Sequence, residues 1–249
     1  MRQFLDLNRC FTIAYRGGSK LRPENTMAAF DHAVGLGVDA IELDVHLSRD
    51  GHAVVIHDPT LNRTTEGAGA VVDFTVNELA AFNVPTLKSV LERHREMPFM
   101  IELKQDSAEM VRAVARAVDE SHAGERVSFG SFSHVALTLL RATGWVLTSA
   151  SVPEVTSALI RSKCFMRPAR SRAYQLFQVP EITKTGTRVV SPRFVKLARA
   201  AGLPVQVWVV DEAADVRRLL SWGVTGFITD RPDVVMNALG QRAEGNGHR

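Results

Sequence analysis

Eight short apolar runs, each followed by an amphipathic segment, repeat along nearly all of this 249-residue chain. Apolar runs of this length are typical of buried parallel strands, and the segments between them show helical spacing. The predicted strands are Phe11–Tyr15, Ala40–Leu47, Phe99–Lys104, Val127–Phe132, Trp145–Ala150, Tyr174–Val179, Val205–Val210 and Gly226–Thr229. Eight such units in about 240 residues predict a single (β/α)₈ TIM barrel of class α/β over residues 11–240.

A doubly wound open sheet would show the same alternation of strands and helices. It would normally carry a glycine-rich phosphate loop, and neither GxGxxG nor GxxxxGK[ST] occurs in the sequence. Residues 61–84, after the second strand, are too long for an ordinary loop and are predicted to form a short insertion at the active face. Residues 241–249 are predicted to form a flexible tail, and Asp211 to cap the helix that follows it.

Composition and charge narrow the class of protein. The two cysteines, Cys10 and Cys164, cannot form a disulfide framework, and no apolar run approaches the ~18 residues of a membrane span. We therefore expect a soluble, cytoplasmic protein with no integral membrane segment. Residues 161–199 are strongly basic, which fits a phosphate, a nucleic acid or a lipid surface, or simply solvated helix faces. Their aromatic residues lack the spacing of a base-stacking platform, so nucleic-acid binding is not expected.

Charged residues interrupt two of the predicted strands at matching positions. Glu42 and Asp44 stand two apart in the second strand, and Glu102 and Lys104 repeat that spacing in the third. Alternate residues of a barrel strand point inward, so these four groups are expected to share one pocket. Converging carboxylates repel one another, and an all-oxygen set favours Mg²⁺ or Ca²⁺ as the balancing ion. The alternative is a salt network in the barrel interior, in which Lys104 pairs with Glu102.

Two further positions suit phosphate chemistry. His57 ends the apolar run that begins at Ala53, where a histidine serves acid–base chemistry, metal binding or a purely structural hydrogen bond. Arg16 follows the first strand and precedes two glycines, so a planar guanidinium and closely approaching backbone stand together. A hard metal, a phosphate site and a histidine together suggest phosphodiester cleavage.

An ordered series of short motifs over residues 11–236 supports the same interpretation. The motifs are Arg16–Ser19, Pro23–Thr26, Glu42–Val45, Asp50-Gly51, His57-Asp58, Arg63–Thr65, Glu102–Lys104, Ser131-Phe132, Gln206–Trp208 and Thr229–Pro232. In this order they resemble the glycerophosphodiester phosphodiesterase family. The resemblance implies a metal-dependent hydrolase on a (β/α)₈ barrel, which releases glycerol 3-phosphate and an alcohol from a small-molecule glycerophosphodiester.

The resemblance also implies a role for each matching residue. The implied metal ligands are Glu42, Asp44 and Glu102, the implied phosphate contacts are Arg16 and Lys104, the implied aromatic contact to substrate is Trp208, and His57 is implied as one of two catalytic histidines. In the family's scheme the glycerol 2-hydroxyl attacks phosphorus, and water then opens the resulting cyclic phosphate. One histidine accepts a proton while the other donates one to the leaving alcohol.

One position departs from the family pattern, because Tyr15 stands where the family has its other catalytic histidine. Tyrosine titrates near ~10 against ~6.5 for histidine, so Tyr15 is a poor base at neutral pH unless Arg16 and a metal ion stabilise the phenolate. Three explanations remain open: a slow or altered enzyme, a non-catalytic member that still binds metal and phosphodiester, and a variant made to trap substrate.

A second enzymatic possibility is a lysophospholipase D-like activity on a lipid-bearing diester. It would use the same metal site and turn the basic residues 161–199 towards a lipid surface. The short insertion after His57 predicts little wall for an acyl chain, which favours the small diester. The sequence pattern specifies no oligomeric state.

Overall fold

The computed structural model describes residues 2–145, 147–168 and 173–245, apart from the side chains of residues 2–3 and 241–245. The strands are β1 (Phe11–Ala14), β2 (Ala40–Leu47), β3 (Ala53–Val55), β4 (Phe99–Leu103), β5 (Val127–Gly130), β6 (Phe177–Pro180), β7 (Val205–Trp208) and β8 (Gly226–Thr229). The α-helices are α1 (Met27–Leu36), α2 (Val76–Ala80), α3 (Leu87–Arg93), α4 (Ala108–Glu120), α5 (His134–Ala142), α6 (Val152–Lys163), α7 (Pro192–Ala200), α8 (Ala213–Trp222) and α9 (Pro232–Gly245).

The parallel strands follow one another around a barrel, in the order β5-β4-β2-β1-β8-β7-β6. Single bridges join its two edges, from Phe129 to Thr148 and from Ser149 to Leu176. Thr148 and Ser149 therefore occupy the place of the fifth barrel strand. The predicted fifth strand, 145–150, is reduced to these bridges, and Val146 lies outside the described residues. With β3 outside the barrel path, the predicted (β/α)₈ architecture is confirmed.

Alternation along the strands separates the apolar core from the barrel interior. On β2, the side chains of Ile41, Leu43 and Val45 pack into a core shared with α3 and α4. The residues between them, Glu42 and Asp44, consequently point to the opposite side of the strand. A second apolar core packs β6, β7 and β8 against α6 to α9.

The segment after β2 is more ordered than its sequence predicts. β3 returns antiparallel to β2 as a hairpin, so the run Ala53–Ile56 is not a barrel strand. The predicted insertion contains a 3₁₀ helix, Val71–Asp73, and the short helix α2. Leu61, Val71 and Leu79 are fully buried in a small apolar cluster of their own. This cluster fixes the segment against the barrel.

Two smaller expectations are corrected at the C-terminal half. Asp211 does not cap α8, whose N-cap is Glu212; Asp211 instead accepts hydrogen bonds from Lys20, Thr229 and the Asp230 N–H. Helix α9 continues to Gly245, past the predicted start of the tail, and residues 246–249 lie outside the described part. Within the described residues, no helix is both long and apolar enough to cross a membrane.

Candidate active site

The turn after β1 brings backbone and side chain of Arg16 into the barrel mouth. Arg16, Gly17 and Gly18 all have positive φ, at 51°, 85° and 89°. A Cβ on Gly17 would lie 2.7 Å from the Ala29 Cβ of α1, so the turn packs directly on that helix. This conformation directs the Arg16 N–H to a Glu42 oxygen at 3.0 Å.

Three carboxylates meet on the adjacent strands β2 and β4. The register of the two strands places Asp44 beside Glu102, and Glu42 is one alternation earlier on the same face. One oxygen from each of the three lies within 4.8 Å of the others. Asp44 is fully buried and Glu42 nearly so. An all-oxygen cluster of this kind fits a hard divalent cation.

The electrostatics of the cluster are only partly balanced by protein cations. Lys104 Nζ lies 2.8 Å from Asp44 Oδ1 and donates to Glu102 Oε1 at 2.9 Å. Burial, together with the charges of Asp44 and Glu102, raises the pKa of Glu42 well above its ordinary value. The interior salt network thus exists for Asp44 and Glu102, whereas Glu42 has no Lys or Arg side chain within ion-pair distance in the described part of the chain. That imbalance favours a bound cation.

Asn25 holds Asp44 in place, a contact that was not predicted from the sequence. Its Nδ2 donates to Asp44 Oδ2 at 2.9 Å, while Arg16 Nε lies 3.1 Å from the same oxygen. Asn25 is itself buried, with φ of 57°, immediately before the Thr26 cap of α1. The motif Pro23–Thr26 was the available signal, but its spacing gives no indication that Asn25 reaches β2.

His57 lies just beyond the β2–β3 hairpin, with its ring held by its neighbour. Its Nδ1 is 2.6 Å from Asp58 Oδ1. The hydrogen bond from Arg63 is the main cause of the low pKa of Asp58, and the bond to His57 adds to it. An ionised carboxylate only accepts hydrogen bonds, so Nδ1 is the nitrogen that donates to Asp58, and in the neutral ring the lone pair is then on Nε2.

The protein groups around Tyr15 favour its neutral phenol. Burial, and then the negative charge of Glu42, raises the pKa of Tyr15 far above the ordinary phenol value, although Arg16 opposes the shift. Its hydroxyl accepts a hydrogen bond from Arg16 Nη2 at 2.5 Å. With the protein's own charges alone the phenolate considered from the sequence is not favoured, so the Tyr15 hydroxyl is better suited to donating a proton than to accepting one.

A cavity of about 640 Å³ joins these residues at the barrel mouth. One side, the charged wall, is formed by Tyr15, Arg16, Glu42, His57, Glu102 and Lys104, with Asp44 buried behind it. The other side, the apolar wall, is formed by Val152, Val155, Leu159, Val179 and Val189. Trp208 also lines the cavity, and its ring meets that of Phe132 edge to face at 5.9 Å.

Residues 16–234 match the model of the glycerophosphoryl diester phosphodiesterase family. The chain belongs to this family. The family is generally dependent on a divalent metal, and the described residues supply one acidic cluster suited to such an ion.

Two curated relatives and one solved structure illustrate the likeness. The glycerophosphodiester phosphodiesterase of Caldanaerobacter subterraneus is 33% identical, with 93% of this chain and 98% of that protein covered. The probable glycerophosphodiester phosphodiesterase 2 of Mycobacterium tuberculosis is 34% identical, with coverage of 98% and 96%. A phosphodiesterase of Oleispira antarctica, solved with sn-glycerol-3-phosphate, shares the fold with a TM-score of 0.79 at 23% identity, covering 94% and 98%.

Within this family member, the sequence-predicted residues line one cavity, with Asp44 buried just behind. The residues that sequence reasoning missed are those that hold or enclose them: Asn25, Glu24, Asp58 and Arg63 beside the charged wall, and α6 on the apolar wall. The first four residues belong to short motifs that the sequence shows, whereas the periodicity of α6 gave no indication that this helix forms a cavity wall.

Proposed function

We propose that this protein hydrolyses glycerophosphodiesters to glycerol 3-phosphate and an alcohol. The observation that carries the proposal is the meeting of Glu42, Asp44 and Glu102 with Arg16 and Lys104 at the mouth of a family barrel. Carboxylates for a cation and two fixed cations beside them match the needs of a phosphodiester, whose charge must be held while its P–O bond breaks.

In this proposal Glu42, Asp44 and Glu102 hold Mg²⁺ or Ca²⁺, because both ions prefer oxygen ligands. When bound there, the ion would neutralise phosphate oxygens and acidify the attacking glycerol 2-hydroxyl. Arg16 and Lys104 bind the remaining phosphate oxygens; Arg16 does so with a planar fork and Lys104 with a point charge. Trp208 and Phe132 present ring surface to the organic part of the substrate.

His57 is assigned the proton-accepting role. Its Nδ1 proton is engaged by Asp58, so Nε2 accepts the proton from the 2-hydroxyl as the bond to phosphorus forms. Tyr15 donates its own phenolic proton to the alcohol as that P–O bond breaks, leaving a cyclic phosphate. Water then attacks the cyclic phosphate and gives a proton back to Tyr15, while protonated His57 returns its proton to the glycerol 2-oxygen as that bond breaks. A phenol of raised pKa is a weaker acid than the imidazolium of the family pattern, so we expect slow turnover.

The direct experiment measures glycerol 3-phosphate released from glycerophosphocholine, with Mg²⁺, Ca²⁺ or EDTA present. Turnover that depends on metal supports the proposal. Ligand binding without product, in the protein and in Tyr15→His alike, would contradict it and support a phosphodiester-binding protein instead.

A second candidate is a lysophospholipase D-like activity, favoured by the apolar wall. The sequence predicted too little wall for an acyl chain because only the insertion after His57 was considered. The wall comes from α6 and the segment around β6, and β6 lies four barrel strands from β2, on the far side of the barrel from that insertion. Lysophosphatidylcholine carries the glycerophosphocholine diester with one added acyl chain, so the ratio of kcat/KM for these two substrates separates the candidates.

Two further assignments remain proposals. We assign residues 11–240 to one barrel domain with residues 61–84 as its insertion, and residues 241–249 to a C-terminal extension that begins as the end of α9. We also place the protein in the cytoplasm, on its cysteine usage alone.

A further inference from the structure

The motif Arg63–Thr65 has no part in the chemistry proposed above, yet the Arg63 side chain binds two carboxylates at once. Its Nε and Nη2 donate to the two Asp58 oxygens at 2.6 and 3.1 Å. Its Nη1 and Nη2 donate to the two Glu24 oxygens at 2.9 and 2.6 Å. Forked pairs of this kind fix the relative orientation of the groups they join.

Each of these carboxylates continues to a residue of the charged wall. Asp58 accepts from His57 Nδ1 at 2.6 Å, and Glu24 accepts from Arg16 Nη1 at 2.9 Å. Arg16 in turn donates to the Tyr15 hydroxyl. Arg63 therefore lies at the centre of an unbroken row of hydrogen bonds that joins His57 to Tyr15, the two groups assigned to proton transfer.

We propose that Arg63 is a positioning residue that sets the ring orientation and tautomer of His57 through Asp58, and the guanidinium of Arg16 through Glu24. About half of the Arg63 side chain is exposed, and ion pairs at such positions contribute little to the free energy of unfolding. The effect of the row is therefore expected in the geometry of the site. Its catalytic consequence depends on the proposed function, whereas the tautomer of His57 does not.

The first test reads the His57 ring directly, by ¹⁵N NMR at a pH at which imidazoles are neutral. The protein is expected to show the tautomer with the proton on Nδ1. Arg63→Ala is expected to shift the ring towards the tautomer mixture of a free side chain. Arg63→Lys keeps the charge without the fork and should lie between the two. An unchanged His57 spectrum in Arg63→Ala overturns the proposal.

The matched control is Arg49→Ala. Arg49 pairs with Glu78 at 2.9 Å, with a side chain about as exposed as that of Arg63, and it lines no part of the cavity. Removing it deletes a comparable surface ion pair beside the same insertion. If Arg49→Ala perturbs the His57 spectrum as strongly as Arg63→Ala does, the effect comes from loosening the insertion and the proposal fails.

The second test is kinetic, on glycerophosphocholine, in the protein itself or in Tyr15→His if only that variant turns over. Arg63→Ala is expected to lower kcat by about 10²-fold, the usual penalty for misplacing a reacting group. KM and divalent-metal binding are expected to stay within about 2-fold. A loss that appears only in KM would contradict a positioning role. Absence of turnover in both backgrounds rejects the proposed function, and the NMR result still decides the role of Arg63.

Discussion

The two walls of the cavity are built from opposite kinds of side chain. The charged wall gathers ionisable groups from β2, β4 and the segments that follow β1 and β3, and among the described residues the Glu42 carboxylate has no Lys or Arg side chain within ion-pair distance. The apolar wall is contributed by α6 and the segment around β6. Val155, Leu159, Val179 and Val189 of this wall also pack on the second core, whereas Val152 is exposed. The charged wall thus contains buried carboxylates that are unfavourable for folding but suited to the proposed chemistry, whereas the apolar wall stabilises the fold and shapes the substrate space.

The largest effect is expected at Tyr15. Tyr15→His restores a group that titrates near neutrality, and a missing general acid or base costs about 10²–10⁴-fold in rate. The measurement is kcat for glycerol 3-phosphate release with saturating metal. An unchanged kcat would show that the acid at this position does not limit turnover, which would contradict the expected penalty of the tyrosine.

Lys104→Met should destabilise the charged wall. Without the ammonium, Asp44 and Glu102 face each other across a buried space, and breaking such a pair costs about 3–5 kcal/mol. The free energy of unfolding is measured by denaturant titration, without metal and then with Mg²⁺. The control Lys88→Met removes an exposed pair with Glu120 and should cost less than about 1 kcal/mol. Equal losses in the two variants would remove the distinction between the charged wall and the surface.

Glu42→Gln should weaken metal binding while stabilising the metal-free protein. Replacing a ligand carboxylate should lower the affinity for Mg²⁺ and Ca²⁺ by at least about 10²-fold, since outer partners of ligands alone account for up to that. The metal-free protein should gain stability because the substitution removes a carboxylate whose charged form is disfavoured by burial, as its raised pKa indicates. Calorimetric titration and thermal unfolding measure the two effects, with Glu109→Gln, at an exposed position of α4, as control. Unaltered affinity would refute the ligand assignment.

The smallest effect is expected on the apolar wall. Val155→Thr exchanges one methyl group for a hydroxyl, worth about 0.8 kcal/mol, or roughly 4-fold, if a hydrocarbon chain contacts it. Only kcat/KM for lysophosphatidylcholine should fall, and that for glycerophosphocholine should hold. Val135→Thr, at a half-exposed position of α5, is the control. An equal decrease in kcat/KM for both substrates would mean that Val155 contributes to folding and not to substrate preference.

The sequence by itself determined the barrel and the acidic cluster. Strand periodicity places Glu42 and Asp44 on one face, and adjacent parallel strands bring Glu102 beside Asp44. These relations are local, because they need only the alternation of a strand and the pairing of neighbours.

Only the tertiary structure decided how the acids are held and what faces them. Arg16 and Asn25 adopt left-handed conformations. Their side chains bond to Glu24 and to β2, and Glu24 also accepts from Arg63, so these groups form one hydrogen-bonded network. The apolar wall and the raised pKa of Tyr15 likewise arise from groups distant in the chain. Hydrophobic periodicity reports which face of an element is buried, whereas burial, dielectric surroundings and hydrogen-bond partners depend on which other elements close over it.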